Sequence, residues 1–177
     1  MDLIIRDSLN DDIGGISAIY QHAVRTGTAS FELEPPSTEE MAQRRRAVVD
    51  KGFPYLVALL DGEIVGYAYA STYRARPGYR FSVENSVYVA PARQGHGIGR
   101  ALLSALIARC ETDGYRLIVA VIGDSDNAAS IGLHSACGFS HAGILPGVGW
   151  KHGRWLDSVF MVRPLGPGQT APPPEGR

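Results

Sequence analysis

Val87-Tyr88-Val89-Ala90-Pro91-Ala92-Arg93-Gln94-Gly95-His96-Gly97-Ile98-Gly99-Arg100-Ala101-Leu102-Leu103 is the stretch from which the rest of the chain is read. Its first residues are β-branched and aromatic, and Pro91 ends that pattern. Glycines then stand at positions 95, 97 and 99, and an apolar helical periodicity takes over. A strand, a glycine turn and a helix start gather several unpaired backbone N–H groups at one point. The helix dipole adds positive potential there, so the place suits a phosphate.

Working outward from it, Phe81 to Val89 is the strand that enters the turn. The helix that leaves it runs from about Gly99 to Thr112, with Leu102, Leu103, Leu106, Ile107 and Cys110 as its apolar stripe. Asp113-Gly114 closes that helix. Leu117 to Ile122 is a near-continuous apolar run, which predicts a central strand buried on both faces. Asp126 or Asn127 then caps a helix from Ala128 to about Ala136, stopped by Gly138.

On the N-terminal side, Leu3 to Arg6 predicts a strand. Asn10, Asp11 and Asp12 offer caps for a helix carrying Ile13, Ile16, Tyr20 and Ala23 on one face. Ser37 and Glu40 form a capping-box pattern ahead of a second helix from about Thr38 to Val49. Tyr55 to Leu60 and Glu63 to Ala70 flank Asp61-Gly62, a two-residue hairpin signal. Ser71 to Arg80 reads as a loop. Near the C-terminus, Gly143 to Trp150 and Trp155 to Val162 flank a turn at Lys151 to Arg154. The expectation is one α/β (α+β) domain over residues 1–163, with a mixed, mostly antiparallel central sheet flanked by helices. Residues 164–177 are rich in Pro and Gly and read as a disordered tail.

Composition narrows the function classes. The chain has 177 residues, 45% of them hydrophobic and 20% charged, and 17 basic side chains nearly balance 18 acidic ones. That balance gives no overall field to favour nucleic acid or an anionic membrane. No apolar run approaches the roughly 20 residues of a membrane span, and the N-terminus is charged too early for a signal peptide. The two cysteines, Cys110 and Cys137, lack metal-ligand spacing and point to a reducing cytoplasm with no bound metal. A nucleophilic role for either competes with simple burial in an apolar helix.

The two commonest nucleotide fingerprints fail on spacing. Arg100 stands where a dinucleotide-binding G-x-G-x-x-G requires its last glycine, and no Gly-Lys-Ser/Thr follows at P-loop distance. Gln94-Gly95-His96-Gly97-Ile98-Gly99 instead resembles the Q/R-x-x-G-x-G/A turn of the GNAT superfamily of N-acetyltransferases. Asn127-Ala128-Ala129-Ser130-Ile131-Gly132-Leu133-His134, continuing to Gly138-Phe139, is similar to that superfamily's downstream N-x-x-S-x-x-L-Y pattern, with His in place of Tyr. Ser82 to Val89, Val119 to Gly123, Leu133-His134 and Lys151 to Asp157 are similar to one subgroup, the phosphinothricin and methionine sulfoximine/sulfone acetyltransferases. Phe31 and Glu34-Pro35-Pro36 resemble the same subgroup's acceptor-side loop.

The resemblance implies acetyl-CoA as cosubstrate and a small-molecule amine as acceptor. It implies that Gln94, Gly95, His96, Gly97, Ile98, Gly99 and Arg100 hold the pyrophosphate. Val87, Tyr88 and Val89 would pair with the pantetheine arm, Asn127 would contact the arm or the thioester end, and Ser130 would also bind the cofactor. It also implies a homodimer. An alkylamine with a pKa of about 10.4 is protonated at neutral pH and must lose a proton to attack a thioester. Strand alternation places Glu84, Ser86 and Tyr88 on one face, and Glu84 falls on the subgroup's base. His134, four residues after Ser130 and seven after Asn127, shares their helix face and can also relay a proton. Which of the two is the principal base stays open from sequence. For the acceptor, Phe31, Thr72, Tyr73, Arg74, Arg76 and Glu84 are the candidates, with Arg74 suited to a carboxylate through charge-assisted hydrogen bonds. Ser71 to Arg74 lacks the Trp that some subgroup members carry, which leaves the acceptor unspecified. Two competing functions remain: the same fold acting on a protein N-terminus or polyamine, and a non-catalytic acyl-CoA-binding protein. The arginines at 74, 76 and 80 argue against a polyamine.

Overall fold

The computed structural model of the protein describes residues 2–173. In chain order it comprises β1 (Leu3–Asp7), α1 (Ile13–Thr26), α2 (Thr38–Val49), β2 (Tyr55–Leu60), β3 (Glu63–Thr72), β4 (Ser82–Val89), α3 (Ile98–Thr112), β5 (Leu117–Gly123), α4 (Ala128–Ala136), β6 (Ser140–Lys151) and β7 (Arg154–Pro164). The strands form one sheet in the order β1-β2-β3-β4-β5-β7-β6. Every neighbouring pair is antiparallel except β4 and β5, which the α3 crossover makes parallel.

Local chemistry accounts for the turns. Asp61 and Gly62 have φ of 52° and 86°, as a two-residue turn compatible with strand twist requires. His152 and Gly153 repeat this, at 52° and 73°, between β6 and β7. The Ser37 hydroxyl accepts from the Glu40 amide at 3.1 Å and caps α2 as expected. The caps expected at the start of α1 serve otherwise. Asn10–Asp12 form a single 3-10 turn, and the Asp12 carboxylate pairs with Arg6 at 2.7 Å and accepts from the Leu9 amide at 2.7 Å. A bidentate guanidinium outcompetes a helix amide for that carboxylate.

Two cores sandwich the sheet. One lies under α3, where Leu102, Leu103, Leu106 and Cys110 are completely buried against Ala68, Val83, Ile118 and Met161. The other lies under α1 and α2, where Ile16, Val24 and Met41 meet a band of stacked tyrosines: Tyr55, Tyr67, Tyr69 and Tyr88. Full burial of each such side chain contributes about 1.5–3 kcal/mol. Ile118, Val119, Ala120 and Ile122 of β5 are all buried, in keeping with a central strand.

Several boundaries differ from the sequence expectation: β6 begins at Ser140 and not Gly143, and Lys151 and Arg154 pair as strand residues around a two-residue turn. Ser71 and Thr72 extend β3, pairing with Glu84 and Val83, and Pro77–Tyr79 form a 3-10 turn within the expected loop. The tail does not begin at 164. Pro164 closes β7 opposite Leu117, and Leu165 is fully buried, its amide donating to the Arg116 carbonyl at 2.9 Å. One apolar side chain in a Pro/Gly-rich run suffices to dock the segment when the core offers a socket. Residues 174–177 of the expected tail lie outside the described residues.

Candidate active site

The site arises where the sheet splits. β4 and β5 pair only over Ser82–Asn85 and Leu117–Ala120, after which the strands diverge. From Ser86 to Val89, β4 still pairs with β3 on its other side. Its β5-facing edge therefore presents backbone donors and acceptors to a slot rather than to a strand. A cleft of about 830 Å³ follows this edge, between the end of α1 and the start of α4. It continues into a chamber of about 290 Å³.

At the outer end of the cleft lies the glycine turn. Gly95 and Gly97 adopt φ of 77° and 80°, a left-handed backbone that glycine enters without penalty. The first bond of α3 joins the Ala101 amide to the Gly97 carbonyl at 3.0 Å. The amides of Ile98, Gly99 and Arg100 therefore project from the helix end without an intrahelical acceptor. Gln94, Gly95, Gly97, Gly99 and Arg100 line the cleft, and Gln94 Nε2 donates to the Val89 carbonyl at 3.3 Å, tying turn to strand. Two expected residues contribute otherwise. Ile98 is 4% exposed and packs its side chain into the core, and His96 donates from Nδ1 to the Gln94 carbonyl at 2.8 Å without lining the cleft.

The inner chamber collects the chemistry. Phe31, Glu84, Ser86, Tyr88, Asn127, Ser130 and His134 line it, and Val87, Tyr88, Asn127 and Ser130 also border the cleft. Asn127 caps α4, its side-chain oxygen accepting from the Ser130 amide at 3.2 Å. The Glu84 carboxylate has no hydrogen bond or ion pair to another described residue. Burial raises its pKa above the ordinary carboxylate value, and the positive charge of Arg74 opposes this in part. His134 sits in the last turn of the nine-residue α4, not near its start, and is 3% exposed. Its Nδ1 lies 2.8 Å from the Ser130 carbonyl oxygen, its Nε2 3.0 Å from Asn85 Nδ2, and its ring meets Phe139 edge to face at 4.9 Å. Burial lowers its pKa, and the bond to Ser130 only partly offsets that.

Two glycines make room for Phe31. A Cβ on Gly149 would stand 2.5 Å from the Phe31 ring, and one on Gly123 would stand 2.0 Å from the Thr28 carbonyl oxygen. The segment after α1 thus meets the end of β5 through its backbone at Thr28 and the last residues of β6 through the Phe31 ring. Lys151 secures it, donating to the Ser30 carbonyl at 2.7 Å, and Tyr20 bonds the Ser30 hydroxyl at 2.9 Å.

Thr72, Tyr73, Arg74 and Arg76 do not line the chamber. Arg74 stacks over Tyr73 at 5.2 Å and faces Glu84 electrostatically, and Arg76 is exposed. Cys110 is fully buried with its thiol pushed up to about 12, so it is no nucleophile. Sequence reading gave no role to Asn85, Ser30, Gly123 or Gly149. Asn85 did carry a signal: a polar residue in phase with Val83 and Val87, on the strand face that packs against the core. The two glycines carried none, because their need lies in contacts more than 90 residues away along the chain.

A glycine turn at a helix start, a free strand edge and a desolvated carboxylate lie along one continuous cleft. The sequence profile described as "Acetyltransferase (GNAT) family" matches residues 16–139. A phosphinothricin N-acetyltransferase of Alcaligenes faecalis is 56% identical over 170 residues, covering 96% of this chain and 85% of that protein. An L-methionine sulfoximine/L-methionine sulfone acetyltransferase of Pseudomonas aeruginosa is 43% identical over 173 residues, covering 97% of this chain and 100% of that protein. Among solved structures, a phosphinothricin acetyltransferase from Sinorhizobium meliloti in complex with acetyl-CoA superposes with a TM-score of 0.96 at 47% identity, over 99% of this chain and 95% of that one. The chain belongs to the acetyltransferase (GNAT) family.

Proposed function

We propose that the protein transfers the acetyl group of acetyl-CoA to the free amine of a small amino acid or amino-acid analogue. Phosphinothricin, methionine sulfone and methionine sulfoximine are the acceptors named for its relatives. The observation that carries this reading is the unpaired Glu84 carboxylate beside a slot opened by the β4/β5 split. The residues present fit the carrier. The Gly95–Arg100 amides match a diphosphate, and the Val87–Val89 edge matches an arm that bears amides. When bound, acetyl-CoA supplies an acetyl group already activated as a thioester.

Glu84 takes the proton of the incoming ammonium, directly or through a water. Its raised pKa narrows the gap to an amine of pKa about 10.4, and each unit of that gap is worth about 1.4 kcal/mol of proton-transfer driving force. A backbone amide of the free β4 edge can donate to the developing oxyanion. His134, with both ring nitrogens already hydrogen-bonded, is the weaker candidate for the base. Arg74 is the candidate to hold the acceptor's carboxylate, supported by its field at Glu84.

The reading extends to assembly and compartment. Ile144, Leu145, Val148, Trp150 and Trp155 form an exposed apolar strip on the β6–β7 hairpin at the end of the sheet. Such a strip fits a self-complementary homodimer contact. Among the described residues no helix is long and apolar enough to cross a membrane, and we assign the enzyme to the cytoplasm, where the unpaired Cys110 and Cys137 stay reduced. The test is thiol release from acetyl-CoA against phosphinothricin, methionine sulfone, methionine sulfoximine, spermidine and a peptide. Release with the amino-acid analogues alone supports the proposal; release only with spermidine or the peptide overturns the acceptor class.

A further inference from the structure

A buried histidine, His134, lines the same chamber as Glu84, yet its ring is poorly set to accept a proton. The reason lies in Asn85, the residue after Glu84. The Ser130 carbonyl oxygen only accepts, so His134 Nδ1, 2.8 Å from it, carries a hydrogen. Asn85 Nδ2 only donates, so His134 Nε2, 3.0 Å from it, presents a lone pair. The opposite orientation of the amide would set Asn85 Oδ1 against Nε2 and require protons on both ring nitrogens. That is an imidazolium, in a site 3% exposed. The groups around the ring are Asn85 from β4, Ser130 on its own helix and Phe139 beyond it, none of them ionisable. Glu84 lies in the strand phase of Ser86 and Tyr88, on the other face of β4. The existing orientation has a cost: Asn85 Oδ1 is buried and, among the described residues, has no hydrogen-bond partner. The amide bears this cost and still donates to the imidazole.

We infer that Asn85 is a positioning residue that locks His134 as the neutral Nδ1–H tautomer with its Nε2 lone pair occupied, so that proton acceptance falls to Glu84. This rests on the acetyltransferase reading only for Glu84's task; the tautomer lock stands on the two hydrogen bonds. To take a proton at Nε2, His134 would have to lose the Asn85 donor, and the amide would have to rotate to offer Oδ1. An aspartate at position 85 removes that barrier. It cannot donate, and its carboxylate would favour the imidazolium.

The experiment is nitrogen-15 NMR of His134 across pH in the wild-type chain and in Asn85→Asp, with kcat/KM profiles recorded in parallel. The wild type is expected to show a protonated Nδ1 and a bare Nε2 at pH 7, with no ionisation until below the ordinary histidine value of about 6.5. In Asn85→Asp, Nε2 gains a proton at pH 7, the His134 pKa rises above that value, and the rate profile acquires a second ionisation that follows it. A wild-type His134 found charged or in the Nε2–H form overturns the inference without any variant. An Asn85→Asp ring that titrates as in the wild type does so as well. Because the NMR readout needs no acceptor or turnover, failure of the lock and failure of the acetyltransferase reading are told apart.

Discussion

Glu84 and Asn85 are consecutive on β4 yet serve opposite faces of the sheet. Glu84 shares the face of Tyr69 and Tyr88, and Asn85 reaches across to His134 at 3.0 Å. Both border one chamber because β4 leaves β5 at that point. A pair of strands that stayed together would have closed the chamber and left two unrelated side chains.

The first consequence is a pH profile. Burial raises the Glu84 pKa, and the protonated carboxyl cannot accept from the amine. The limb of kcat/KM on the acid side is therefore expected above the ordinary carboxylate value of about 4.3. Glu84→Gln should lower kcat by about 10²- to 10⁴-fold and abolish that limb. Calorimetric affinity for acetyl-CoA should remain that of the wild type. An unchanged limb in the variant would assign the ionisation to another group.

Two glycine variants should fail differently. Gly97→Ala forces a side chain into a backbone with φ of 80°, at a cost of about 1–2 kcal/mol, and should weaken acetyl-CoA binding. Gly149→Ala drives a methyl group to 2.5 Å from the Phe31 ring and should raise the acceptor KM about 10-fold, or about 1.4 kcal/mol. Its acetyl-CoA affinity should stay intact. Steady-state kinetics with both substrates varied separates the two outcomes.

Stability should also report on His134. Its folded pKa is depressed by burial, so between about 6.5 and the folded value the unfolded chain binds a proton that the folded chain does not. The contribution from this group is complete above about pH 6.5 and declines as pH falls below it. Urea midpoints across that range should fall with pH in the wild type, and the slope should diminish in His134→Gln.

The apolar hairpin yields a mass prediction. Trp150 and Trp155 meet edge to face at 5.1 Å, with Trp155 64% exposed. Trp155→Glu places a charge in the proposed dimer contact and is expected to convert a dimer to a monomer by light scattering. A wild-type mass equal to one chain would show that the strip is not a dimer contact.

The order of elements was legible in the sequence because each local signal agreed with its neighbours. Asp61-Gly62 makes the hairpin, Ser37 and Glu40 make the cap, and the stripe from Leu102 to Cys110 makes the core helix. The glycine turn was legible as a turn, since Gly95 and Gly97 stand just ahead of an apolar helix and adopt the left-handed backbone. What sequence could not supply depends on distance. The split after Asn85 is decided by two strands separated by a 15-residue helix, and the clearance at Gly123 and Gly149 by a loop from the start of the chain. Leu165 carries no sequence signal, because one buried leucine gives no periodicity. The acceptor arginines were named from a motif, and the single chain leaves Arg76 in solvent.

Acetyl transfer is measured most directly by following both products at once. Enzyme, acetyl-CoA and L-phosphinothricin or methionine sulfone are mixed, with free thiol read optically and N-acetylated acceptor read by mass spectrometry. Equal amounts of the two are expected, formed in step and lost together in Glu84→Gln. Thiol without acetylated acceptor, or neither product despite bound acetyl-CoA, would contradict acetyl transfer.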